Sequence, residues 1–207
     1  MADEHEQEIQ HMIDPSVPDL SPLETLRHSA AHVMAAAIKK LWPDAKLAFG
    51  PHTAEGFYYD VEMAHRLVPE DFERIEAAMQ VEVDGKHPFK REEIARDEAI
   101  KLFESVGETF KVEAIAAIPK DATLTLYRSG DFVDMCRGPH VANTAQIRAF
   151  KLMSIAGAYW RGDESRPQLQ RVYGTAFGDR KELKEYLRLL EEAKARDHRK
   201  LGKELGL

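Results

Sequence analysis

Residues 21–61, SPLETLRHSAAHVMAAAIKKLWPDAKLAFGPHTAEGFYYDV, place a capped helix directly before two short apolar runs, and that succession decides the fold class. Ser21 offers an N-cap hydroxyl, Pro22 suits the first helical position, and Glu24 stands three after the cap. Together they satisfy amides that a helix start leaves without partners. Leu23, Leu26, Ala30, Val33, Ala37 and Leu41 recur at steps of three and four, and Trp42-Pro43 closes the pattern, so an amphipathic helix is predicted to about Leu41. KLAFG and GFYYDV, separated by Pro51, His52 and Gly56, read as an antiparallel pair of strands joined by a turn.

Further along, Pro69 opens a second amphipathic helix over 69–84 that ends near Gly85, FKREEI reads as a strand, and a third helix runs from Arg96 to about Val106. TLTLYRSGDFVDMC offers two strands about Ser129-Gly130, and FKLMSIAGAYWRG and LQRVYGTAF offer two more. From Gly178 onward the chain is strongly helical, with Glu182, Glu185, Glu191 and Glu192 interleaved among bases. Helices mixed irregularly with hairpin-like strands imply an α+β fold: a mostly antiparallel sheet packed with helices, and a long C-terminal helix.

The 207 residues, 43% hydrophobic, suffice for one main domain with extensions. Residues 1–20 are acidic, carry Pro15 and Pro18 and lack either period, the pattern of a flexible leader. No apolar run reaches the ~18 residues of a membrane span, and MADEHEQEIQ is acidic where a signal peptide is basic. Cys136 is the sole cysteine, which excludes an internal disulfide and suits a reducing compartment. A cytoplasmic protein without a membrane partner is expected. The net charge of −7 argues against general adhesion to nucleic acid and predicts weak independent binding to it. A local basic groove could still draw on Lys39, Lys40, Arg137, Arg148, Lys151 and Arg161, whereas the tail run Lys194, Arg196, His198, Arg199, Lys200, Lys203 reads as a solvated helix face.

Two short patterns carry chemistry. In HSAAH, His28 and His32 lie four apart and project from one helix face, a turn apart. In CRGPH, Cys136 and His140 bracket Gly138-Pro139, so a tight bend aims both side chains at one point. Four such groups suit Zn²⁺ in tetrahedral geometry, and without metal they can bind a polar substrate and move protons. Spacing leaves both uses open. Trp42, Phe49, Phe57 and Trp160 sit in apolar runs and read as core, and His52, His65 and His87 lie in turn-like segments.

HSAAH, AFGPHTAEGFYYDVEM, GETFKV, DFVDMCRGPHV, FKLMSIAGAYWRGD and LQRVYGTAF, in that order, resemble the second additional domain of threonyl-tRNA synthetase over about residues 23 to 207. Alanyl-tRNA editing proteins share the paired HxxxH and CxxxH logic more distantly. The resemblance implies proofreading hydrolysis of seryl-tRNA(Thr), with residues 21–178 as the tRNA editing domain and 179–207 as a linker helix. It assigns catalytic roles to His28, His32, Lys111, Asp134, Cys136 and His140. Tyr59 is expected to bind substrate, as is Arg137 in CRGPH, and neither metal nor cofactor is expected. The implied partners are the acceptor end of threonine tRNA and, in a longer chain, a class II synthetase catalytic domain. No segment resembles the class II ATP-binding motifs, so ligase activity is not expected of these residues. Two alternatives stand beside this: a zinc-dependent alanyl- or seryl-tRNA deacylase acting in trans, and a non-catalytic domain that binds the tRNA acceptor end.

Overall fold

The computed structural model describes residues 19–205, with side chains to Arg196. The leader expected over 1–20 therefore lies almost wholly outside the described residues, as do the side chains of His198, Arg199, Lys200 and Lys203. The elements in order are α1 (Pro22–Leu41), β1 (Lys46–Leu47), β2 (Phe57–Glu62), α2 (Phe72–Asp84), β3 (Lys90–Ile94), α3 (Arg96–Ser105), α4 (Thr109–Ala117), β4 (Leu124–Ser129), β5 (Phe132–Met135), β6 (Ala149–Tyr159), β7 (Gln168–Phe177) and α5 (Arg180–Leu205). The α+β class, the antiparallel pairing and the long last helix are all present. The strands, however, divide between two sheets, ordered β1-β2-β7-β6 and β3-β4-β5.

α1 begins as its sequence requires: Glu24 N donates to Ser21 Oγ at 3.3 Å and Ser21 N to the Glu24 carboxylate at 2.8 Å. It does not lie on the surface with one apolar stripe inward. Every residue from Leu26 to Ile38 is buried, while Leu23 of the expected stripe is 38% exposed. Alanines at 30, 31, 35, 36 and 37 keep the helix thin enough to be packed on all sides by α2, β2 and β7. Arg27, drawn in with it, donates to the carbonyl of Ala54 at 2.6 Å and lies over the Phe177 ring.

Three apolar clusters hold the chain together. α1, β2, β7 and α2 make the main one, around Met34, Ile38, Phe57, Tyr59, Ile75 and Met79. The second joins α3 and α4 to the smaller sheet through Phe103, Ile115, Leu124 and Leu126. In the third, Phe110 of α4 meets Phe49, Trp160 and Leu169. Trp160, Phe49 and Phe57 are thus core, as expected, while Trp42 is half-buried and stacks on His65. α4, which the sequence reading passes over, bridges two clusters, with Phe110 turned to one and Ala114 and Ile115 to the other. Its apolar residues form no single stripe, so no helical period stands out.

Candidate active site

The two histidines of α1 meet the segment after β5. Cys136 continues the pairing with β4, its amide donating to the Thr125 carbonyl at 3.1 Å and its carbonyl accepting from Thr125 Oγ1 at 2.6 Å. Gly138, at φ +78°, then turns the chain, and a Cβ there would fall 2.2 Å from the Tyr127 hydroxyl. The turn brings His140 Nε2 to 3.4 Å from Cys136 Sγ, while His28 Nε2 stands 3.2 Å away and the Gly138 amide donates to the sulfur at 3.2 Å. The His140 ring is stacked by Phe89 at 4.7 Å and lies 4.4 Å from His28 and 4.3 Å from His32. One ligand atom from each of His28, His32, Cys136 and His140 lies within 4.8 Å of the others. This donor set fits a tetrahedral Zn²⁺ with modest contraction, and it equally closes a hydrogen-bonded cluster without one.

A second group adjoins it. Asp134 of β5, Tyr59 of β2 and Lys111 of α4 are each no more than 2% exposed. Lys111 Nζ lies 2.6 Å from Asp134 Oδ1 and donates to the Tyr59 hydroxyl at 3.1 Å, and Tyr59 in turn donates to Asp134 Oδ2 at 2.5 Å. Asp134 joins the two groups, since His32 Nε2 is 3.8 Å from its Oδ2. Taken as isolated residues, Lys111 is a surface lysine and Asp134 a turn cap. In the fold they are a buried ion pair.

Burial sets the protonation of the first group. It holds His32 down at about 4, against the pull of Asp134, and pushes His140 well below the usual imidazole range. It also pushes the Cys136 thiol up to about 12, although the Gly138 amide opposes this, so sulfur carries its proton at neutral pH. Burial would raise Asp134 as well, but Lys111, His32 and the hydrogen bonds from Lys111 and Tyr59 outweigh it and the carboxyl titrates below its ordinary value. The Tyr59 phenol is raised well above 10 by burial and by Asp134, so it remains a donor.

All seven residues that the motifs assign beyond Arg137 converge here. Arg137 is half-buried in the turn between Cys136 and Gly138, its charge acting on the thiol. Of the six residues on which a local basic groove could draw, three are paired with acids. Lys39 pairs with Glu108, Lys40 with Glu82 and Lys151 with Glu76, which neutralises half of them. Arg148 instead lines a cleft of about 700 Å³ between α2, β6 and α5, with Arg180, Lys184 and Arg188, and that cleft shares no residue with the buried cluster.

Several supporting residues escape a reading of the sequence. Glu108, at the start of α4, accepts from Lys39 Nζ at 2.6 Å and from the Leu47 amide at 2.7 Å, which ties the helix carrying Lys111 to α1 and β1. Its place within GETFKV was the available signal. Gly50 leaves room for the Tyr59 ring, which a Cβ would approach to 2.1 Å. His52 lies at the margin, its ring 6.3 Å from that of His28 and its Nε2 3.9 Å from Glu24. Ser29 Oγ lies 3.0 Å from His140 Nδ1.

Comparison with known proteins accords with this geometry. Residues 124–173, which carry β4, β5, the Cys136–His140 turn and most of β6 and β7, match the family described as the threonyl and alanyl tRNA synthetase second additional domain. The chain belongs to that family. Within it the likeness is to the threonyl branch. The chain is 57% identical over 197 residues to a threonine–tRNA ligase of Nitratidesulfovibrio vulgaris, covering 94% of this chain and 30% of the relative. It is 55% identical over 184 residues to that of Clostridioides difficile (89% and 29%) and 54% over 197 to that of Dehalococcoides mccartyi (95% and 33%). It is a threonyl-tRNA synthetase editing-type domain, and it spans about a third or less of the length of these relatives. Among the described residues, no helix is long and apolar enough to cross a membrane.

Proposed function

We propose that this domain hydrolyses seryl-tRNA(Thr), releasing serine and reusable tRNA. The observation that carries the reading is the meeting, in one buried place, of neutral imidazoles with a lysine ammonium held by a carboxylate. Ester hydrolysis needs a placed water, an acceptor for its proton and positive charge near the developing oxyanion. His28, with His32 beside it, binds the ester end and positions water, and Lys111 supplies the charge. Asp134 and Tyr59 hold Lys111, and Tyr59 stands beside it as a substrate-binding group. Cys136, a protonated thiol, shapes the pocket with His140, and water rather than sulfur is the nucleophile. The physical need is a second sieve: one missing methyl gives a binding pocket only ~1–3 kcal/mol of discrimination between serine and threonine.

In this reading residues 21–178 are the editing domain, 179–207 a linker helix, the acceptor end of threonine tRNA the substrate, and a class II catalytic domain the neighbour in a longer cytoplasmic chain. A second reading rests on the four donor atoms within 4.8 Å: His28, His32, Cys136 and His140 would hold Zn²⁺, which supplies a bound water of lowered pKa. Deacylation of separately prepared seryl and threonyl esters of threonine tRNA, with and without chelator, decides. Loss of the seryl ester alone, unaffected by chelator, is expected. Abolition by chelator favours zinc, and binding of the acceptor end without turnover leaves a non-catalytic domain.

A further inference from the structure

Ser29 is fully buried on α1, and its hydroxyl has three neighbours: the Thr25 carbonyl at 2.8 Å, the Val141 amide at 3.0 Å and His140 Nδ1 at 3.0 Å. A hydroxyl has one proton and two lone pairs. The Val141 amide can only donate, so it takes one lone pair. The Thr25 carbonyl can only accept and lies nearest, so it receives the proton. One lone pair remains, and Nδ1 can fill it only as a donor. The opposite arrangement turns the Ser29 proton to Nδ1 and aims the imidazole N–H at Cys136 Sγ, 3.4 Å from Nε2. It exchanges an N–H···O bond for a longer one to sulfur, a weak acceptor.

We infer that Ser29 is a positioning residue that holds His140 as its Nδ1–H tautomer, so that Nε2 presents a lone pair to the centre of the cluster. The Cys136 S–H then has an acceptor in His140 Nε2, 3.4 Å from the sulfur that His28 Nε2 also approaches, at 3.2 Å. Because one ring nitrogen's hydrogen bond decides which nitrogen is protonated, Ser29 acts on the chemistry without touching substrate. Its effect on rate rests on the hydrolytic reading above, whereas the tautomer does not.

The test is a two-bond ¹H–¹⁵N correlation spectrum of the histidine-labelled chain at neutral pH, with the wild type, Ser29→Ala and Ser29→Thr. Wild type and Ser29→Thr are expected to show a protonated Nδ1 and an unprotonated Nε2 at His140, and Ser29→Ala to lose that pattern. Turnover of the seryl ester by Ser29→Ala should fall ~10-fold or more in kcat with KM little changed, and Ser29→Thr should restore it. A protonated Nε2 at His140 in the wild type overturns the inference, whether or not Ser29→Ala folds, as does an unchanged tautomer in a folded Ser29→Ala. If the tautomer behaves as expected and no ester is cleaved, the tautomer assignment stands and the hydrolytic reading falls.

Discussion

The two halves of the site solve the same physical problem in opposite ways. In the group His28, His32, Cys136 and His140, burial strips His32 and His140 of their protons and leaves the thiol its own. Tyr59, Lys111 and Asp134 are buried more deeply than Cys136 and His140, yet they keep a full charge of each sign 2.6 Å apart. Neutral groups can be buried at the cost of finding hydrogen bonds, whereas a buried charge is tolerated only with its partner in place. The difference teaches a division of labour. Charge comes from the side of β2, α4 and β5, and proton donors and acceptors from the side of α1 and the Cys136–His140 turn.

The largest effect should come from breaking the charged half. Asp134→Ala leaves Lys111 buried and unmatched, and a stability loss of about 3–5 kcal/mol in urea unfolding is expected. The paired change Asp134→Leu with Lys111→Met should cost less than Asp134→Ala alone, and additive losses would show that the two do not act as a unit.

Acid should act on the neutral half instead. His32 titrates at about 4 in the fold against 6.5 ordinarily, so between those values the unfolded chain binds a proton that the folded chain refuses. Stability is therefore complete above about pH 6.5 and falls toward pH 4, by on the order of 3 kcal/mol from this residue, with His140 adding in the same direction. Asp134, lowered from 3.8, loses its contribution only below that window. Urea midpoints across the range should slope accordingly and His32→Gln should flatten them; a profile already flat in the wild type erases the contrast between the halves.

Substitutions that spare the charges should separate rate from stability. His28→Ala is expected to lower seryl-ester deacylation ~10²-fold, a retained rate being the sign of a site that only binds. Cys136→Ser should change kcat by less than about tenfold, since hydroxyl replaces a thiol that is already protonated. A loss near 10⁴-fold would instead make sulfur the nucleophile and give the neutral half a covalent role.

What could be read from residues alone follows the same divide. The HSAAH helix was legible because its cap, its step of four and its closing Trp42-Pro43 are all local, and CRGPH because Gly138 makes a local bend. That α1 is buried all round was not legible, since its neighbours come from β2, β7 and α2, far apart in sequence. Lys111 and Asp134 could be named only through motif resemblance, because nothing in GETFKV or DFVDMC shows that the two side chains meet across 23 positions. Glu108 and Ser29 were missed for a related reason: each works through a hydrogen bond to a distant element, Lys39 and His140 respectively, and such bonds leave no periodic trace.

The complete burial of α1 from Leu26 to Ile38 has a dynamic consequence. Amides in such a segment exchange with solvent only when the whole fold opens, because no shallow fluctuation exposes them. His28 and His32 are therefore expected to ride on one of the last elements to open, which amide hydrogen exchange would check.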